Sequence, residues 1–93
     1  MVYHDKVRQD YIAVESEGLR FRFYLDREHP AALHIHARHG LDIPDALELF
    51  FDAEPRWNEQ HQRFENQVGN RFLYWAWKQP NAEVVVITCF EKE

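Results

Sequence analysis

Hydrophobic and polar positions alternate with a period of two through Leu19-Arg20-Phe21-Arg22-Phe23-Tyr24-Leu25. Leu19, Phe21, Phe23 and Leu25 share one face, and Arg20, Arg22 and Tyr24 the other, which is the pattern of a half-buried strand. Upstream, Tyr11-Ile12-Ala13-Val14 is a short β-prone run, and Glu17-Gly18 supplies a turn between the two. The pair predicts a hairpin. Residues 1–10 are polar and mixed in charge and predict a loosely docked start.

The pattern then changes. Pro30 suits the first position of a helix, where its missing N–H costs nothing, and a short helix is expected over 30–39. Gly40 is its expected C′ residue, with Arg38 and His39 complementing the dipole in the last turn. Asp42, with Asp45 three residues on, reads as the N-cap of a second helix, and Pro44 is tolerated there. Its expected buried stripe is Ala46, Leu47 and Phe50 with Ile43, and Glu54-Pro55 should end it.

Residues 56–62 are polar and read as a loop. A strand is expected over 62–68, a tight turn at Gly69-Asn70, and an aromatic strand over 71–78, packed on both faces. After a turn at Gln79-Pro80-Asn81-Ala82, the β-branched run 84–90 predicts a central strand. The expected class is α+β: one mainly antiparallel sheet with two helices on one face, in the order β-β-α-α-β-β-β.

Composition narrows the functional classes. Ninety-three residues make a single domain, 1–93, and 45% hydrophobic content supplies a core. The single cysteine, Cys89, excludes an internal disulfide framework and lies in an apolar run, as a buried small hydrophobe would. No apolar stretch approaches the ~20 residues of a membrane span, and Met1-Val2-Tyr3-His4-Asp5 lacks a signal layout, so no membrane and a cytoplasmic location are expected. The net charge of −5 repels phosphate backbones, so binding nucleic acid requires a local basic patch.

One segment carries a family signal: Arg38-His39-Gly40-Leu41-x-Ile43-x-x-Ala46, followed by Phe50-x-Asp52. With Phe23-x-x-Asp26 upstream, Arg63-Phe64 and Val68-Gly69 downstream, and the run Val85-Val86-Ile87-Thr88, the chain resembles the BrnT toxins of type II toxin–antitoxin systems. The resemblance implies a RelE-like fold, ribonuclease activity on messenger RNA and a dedicated antitoxin partner. Val85 and Phe90 stand where that family tends to carry arginines, and the family is usually basic.

Metal-independent RNA cleavage needs a base for the 2′-OH, a stabiliser for the phosphorane and an acid for the leaving oxygen. Histidine suits the outer roles and arginine the middle one. Of six histidines, His34, His36 and His39 cluster in sequence. On a helix His36 and His39 lie within ~60° of each other and His34 points elsewhere. His39, His36, Arg38 and Arg71 are the candidate catalytic residues; Arg63, Tyr74 and Thr88 are the candidate RNA contacts. The plain alternatives are solvated or capping histidines, surface arginines and a packed threonine. Two histidines make an incomplete zinc set, and neither HExxH nor paired-cysteine spacing occurs, so neither metal nor cofactor is expected.

Phe72, Tyr74, Trp75 and Trp77 exceed what one face of a small core needs. A homodimer through residues 72–77, or an antitoxin helix, would cover the surplus; the alternative is complete coverage within the chain. Two functional readings stand: a BrnT-like endoribonuclease, or a non-catalytic protein-interaction or regulatory module on the same scaffold. A small-ligand pocket lined by tryptophans is a third.

Overall fold

The computed structural model describes residues 10–93. The expected loose start lies, but for Asp10, outside the described residues; the Asp10 carbonyl accepts from the Leu25 amide at 2.9 Å. Strands β1 (Tyr11–Ser16) and β2 (Leu19–Tyr24) form the expected antiparallel hairpin. Both turn residues have positive φ, 52° at Glu17 and 80° at Gly18, as a tight primed turn requires.

The first helix, α1, spans only His34–His39, so Pro30 lies in a turn and does not open it. The reason is local competition. Asp26 Oδ2 accepts the amides of Glu28 (3.1 Å) and His29 (3.0 Å), and the Asp26 amide donates to Ala32 O (2.8 Å), closing the segment into a loop before helix can propagate. Gly40 ends α1 in the left-handed region at φ 70°, as expected.

Helix α2 (Ile43–Asp52) has Asp42 as its N-cap, as expected, and Asp45 completes a capping box with it: the Asp42 amide donates to Asp45 Oδ2 at 2.8 Å. Its buried residues are Ala46 and Leu49, while Ile43, Leu47 and Phe50 pack partly buried against the core. The stripe is thus rotated toward Leu49 relative to expectation. Ala53 is extended and ends the helix before Glu54-Pro55.

The segment read as a loop contains a short strand, β3 (Arg56–Asn58), which pairs with β4 (Arg63–Val68). Trp57 lies opposite Phe64, with ring centroids 4.9 Å apart, and that aromatic pair holds an otherwise polar segment on the sheet. Strands β5 (Arg71–Gln79) and β6 (Glu83–Glu91) complete the sheet.

Among the described residues the six strands run β1-β2-β6-β5-β4-β3, with β2–β6 parallel and the other neighbours antiparallel. The fold is therefore α+β with a mostly antiparallel sheet and two helices, one strand richer than the expected order. The central position of β6 is as expected. The core joins Phe21, Phe23, Leu73, Trp75, Val84, Val86 and Cys89 of the sheet to Ile35, Leu41, Ala46 and Leu49. Ala76 and Val85, which alternate with core positions, are buried on the far side. No helix among the described residues is long and apolar enough to cross a membrane.

Two irregularities shape the surface near α1. β2 pairs with β6 only through Phe23↔Val86, so the second half of β6 has β5 as its strand neighbour, and α1 packs beside it. A register shift places Tyr74 opposite Thr88 but Trp75 opposite Val86, leaving Ile87 without a partner. Phe72, Tyr74, Thr88 and Phe90 consequently share one face.

Candidate functional site

The site grows from a buried carboxylate. Asp26 is 2% exposed and follows the alternating strand directly. Beyond the two loop amides, its Oδ1 accepts from Arg38 Nε at 3.0 Å and lies 3.4 Å from His34 Nδ1. Burial alone would raise its pKa. The hydrogen bonds from Arg38 and from the His29 and Glu28 amides outweigh that and hold it below 3.8.

A pH dependence follows. A carboxylate depressed in the native state contributes stability that is complete above its unfolded pKa and is lost as pH falls through its lower native value. Below about pH 4 the urea midpoint of the wild type should therefore fall more steeply than that of Asp26→Asn, which has no charge to lose. Parallel acid limbs would show that Asp26 is not so coupled.

Two histidines meet beside this carboxylate. The rings of His34 and His39 lie edge to face, 5.8 Å between centroids. His39 also contacts Phe90, at 5.9 Å. Desolvation beside its neighbours, together with the charges of His34 and Arg38, lowers the His39 pKa from its ordinary value, which favours the neutral imidazole. The expected pairing of His36 with His39 does not form. His36 turns to α2, with Nδ1 2.9 Å from Asp42 Oδ1, bridging the Gly40 break. In so short a helix, contacts at its two ends, and not ideal helical geometry, decide where the rings lie.

From His39 a row of side chains crosses β6, β5 and β4. Phe90 stacks on Phe72 (5.2 Å) and meets Tyr74 edge-on (5.1 Å), and the Arg63 guanidinium lies 3.8 Å over the Tyr74 ring. The structure thus brings His39, Tyr74 and Arg63, from three separate stretches of sequence, into one continuous patch.

The candidate guanidiniums are matched by carboxylates. Arg38 holds Asp26 and, at 3.3 Å, Glu28; Arg63 holds Glu65 at 2.8 Å; Arg71 spans Asp45 at 3.0 Å and Glu91 at 2.9 Å. Arg71 therefore belongs to the start of α2, where it ties the capping carboxylate to the end of β6. Thr88, expected as an RNA contact, has its Oγ1 buried without a partner among the described residues, so a phosphate does not reach it in this arrangement. Of the tryptophans in the aromatic run, Trp75 is buried and Trp77 packs against the core. β5 is bonded on both edges, and Phe72, Tyr74 and Trp77 are its partly exposed aromatics.

Asp26 and His34 are the residues that helical geometry missed. Asp26 is visible in the Phe23-x-x-Asp26 spacing, but nothing in local pattern marks it as buried. Cys89 lies inside, and burial first, then Asp45, raises its pKa to about 12, so its thiol is no nucleophile. Among the described residues no three His, Cys, Asp or Glu side chains gather as a metal site. Comparison with protein-family models, curated proteins and solved structures finds no match to this chain.

Proposed function

We propose that the chain is a BrnT-like toxin with a RelE-like fold, an endoribonuclease that works without a metal and is held in check by an antitoxin protein. The observation that carries this reading is the His34–His39 pair, placed at the head of an aromatic row that ends in Arg63. His39, whose surroundings favour the neutral ring, is suited to take the 2′-OH proton. The freed O2′ attacks phosphorus, the P–O5′ bond breaks, and the leaving oxygen takes a proton. Arg38 is positioned through Nε and one terminal nitrogen, which leaves further N–H donors for the phosphorane. Tyr74, Phe90 and the Arg63 plane offer stacking surface to an unpaired base.

Induced expression tests it. The wild type should arrest growth and fragment transcripts, and His39→Ala should abolish both while shifting stability by only about 0.5 kcal/mol, as exposed positions do. Normal growth with intact RNA refutes the enzyme.

The second reading, a non-catalytic protein-interaction module, is favoured by one observation. Arg38, Arg63 and Arg71 are each neutralised within the chain, in a protein of net charge −5. On that reading expression leaves RNA untouched, and purified protein retains a protein partner whether or not His39 is present.

A further inference from the structure

We infer that Asp26 and His34 form a carboxylate-held imidazole that donates the proton to the leaving oxygen, opposite His39 as base. This rests on the nuclease reading above and adds a division of labour to it. Three features of the structure lead there. His34 Nδ1 faces Asp26 Oδ1 at 3.4 Å, which leaves its Nε2 directed away from the carboxylate. Asp26 is itself fixed: two loop amides hold one oxygen and Arg38 holds the other, so the carboxylate cannot swing away from His34. His39, across the 5.8 Å ring contact, has no carboxylate partner among the described residues and rests on Phe90 instead.

The two imidazoles therefore differ in surroundings. One backs onto an anion and the other onto a hydrocarbon ring. A carboxylate at Nδ1 fixes the ring's orientation and leaves Nε2 as the atom that hands on a proton; an apolar neighbour favours the neutral ring, the state a base must start from. The charged groups around the pair are Asp26, Arg38 and, through Arg38, Glu28; from β6 the neighbour is Phe90, while Glu91 is engaged by Arg71. In the reaction His39 removes the 2′ proton, O2′ bonds to phosphorus as P–O5′ breaks, and the proton on His34 Nε2 passes to O5′. The products are a 2′,3′-cyclic phosphate and a 5′-hydroxyl, and water later restores both rings to their starting states. His34 is catalytic in this scheme, and Asp26 is a positioning residue acting through it.

The test separates acid from base by changing the leaving group. Purified wild type, His34→Gln, His39→Gln and Asp26→Asn are assayed on an RNA oligonucleotide and on a uridine 3′-nitrophenyl phosphate, whose nitrophenolate departs without needing a proton. The expected result is a loss of about 100-fold or more in kcat for His34→Gln on RNA, with KM unchanged, and near wild-type turnover on the nitrophenyl ester. Asp26→Asn should follow the same pattern with a smaller loss, and His39→Gln should fail on both substrates. Should Asp26→Asn not fold, as its thermal transition would show, His34→Gln alone decides. Equal losses by His34→Gln on both substrates overturn the assignment of His34 as acid while leaving the nuclease intact. A wild type that cleaves neither substrate removes the nuclease reading and this one with it.

Discussion

Asn66→Ala should cost about 3–4 kcal/mol, a large share of the roughly 5–15 kcal/mol that holds a domain folded. Asn66 is fully buried on β4. Its Nδ2 donates to the carbonyls of Leu49 (3.1 Å), Phe50 (3.2 Å) and Ala53 (3.4 Å), and its Oδ1 accepts from Trp75 Nε1 at 2.9 Å. The last carbonyls of a helix have no partner within it. Here a strand side chain supplies one, and so ties the end of α2 to the sheet. Truncation leaves those carbonyls and a buried indole N–H without partners, each unmet group costing about 1–3 kcal/mol, and opens a void as well. Asn66→Asp separates the amide from its volume. It keeps the acceptor for Trp75 but turns an oxygen toward three carbonyls, so it should be at least as destabilising as Ala. Equilibrium urea unfolding measures both. A stable Asn66→Asp protein would mean that the donor amide is not what seats α2.

The strands were legible because their information is local. The alternation in β2 needs only the identities of consecutive residues, and Phe21 and Phe23 are buried as it requires. Gly40 and the Asp42–Asp45 pair were legible for the same reason, since capping chemistry spans three or four positions. What escaped was set at a distance. The start of α1 was misplaced because Pro30 is compatible with a first turn, while the loop that displaces it is organised by Asp26, a residue whose partners Arg38 and His34 come from α1. The three-residue strand β3 is too short and polar to show a period, and it exists because β4 offers it a partner. The histidine pairing failed because His36 has Asp42 within reach across the Gly40 turn. The guanidiniums could be named from sequence but not their compensation: Arg71 meets Asp45 and Glu91 from 26 and 20 residues away.

Phe21→Ala should be the most damaging hydrophobic truncation, costing about 3–5 kcal/mol, while leaving the histidine patch competent in molecules that stay folded. Phe21 is 1% exposed, and its ring meets Phe50 at 4.9 Å and Phe51 at 5.8 Å, both edge to face. Phe50 in turn meets Trp75 at 4.8 Å, and Trp75 stacks on Phe64 at 4.5 Å. Removing the first ring therefore opens a void at the head of an aromatic ladder that runs beneath α2 from β2 to β4. Ala cannot fill that void, and the neighbours are held: Phe50 and Trp75 are both tied, by backbone carbonyl and by indole N–H, to Asn66. The site depends on different contacts, namely Asp26 with α1, and His39 with Phe90 at the far end of β6. Phe21→Leu, which retains most of the volume, should recover over half of the loss. The check is a pair of measurements on the same sample at low temperature: the urea midpoint, and RNA cleavage per folded molecule with the folded fraction taken from circular dichroism. On the nuclease reading, a lowered midpoint with unchanged cleavage per folded molecule is expected. Cleavage that falls in step with the void, while the protein remains folded, would mean that the seating of α2 reaches the histidines and that stability and activity share one network.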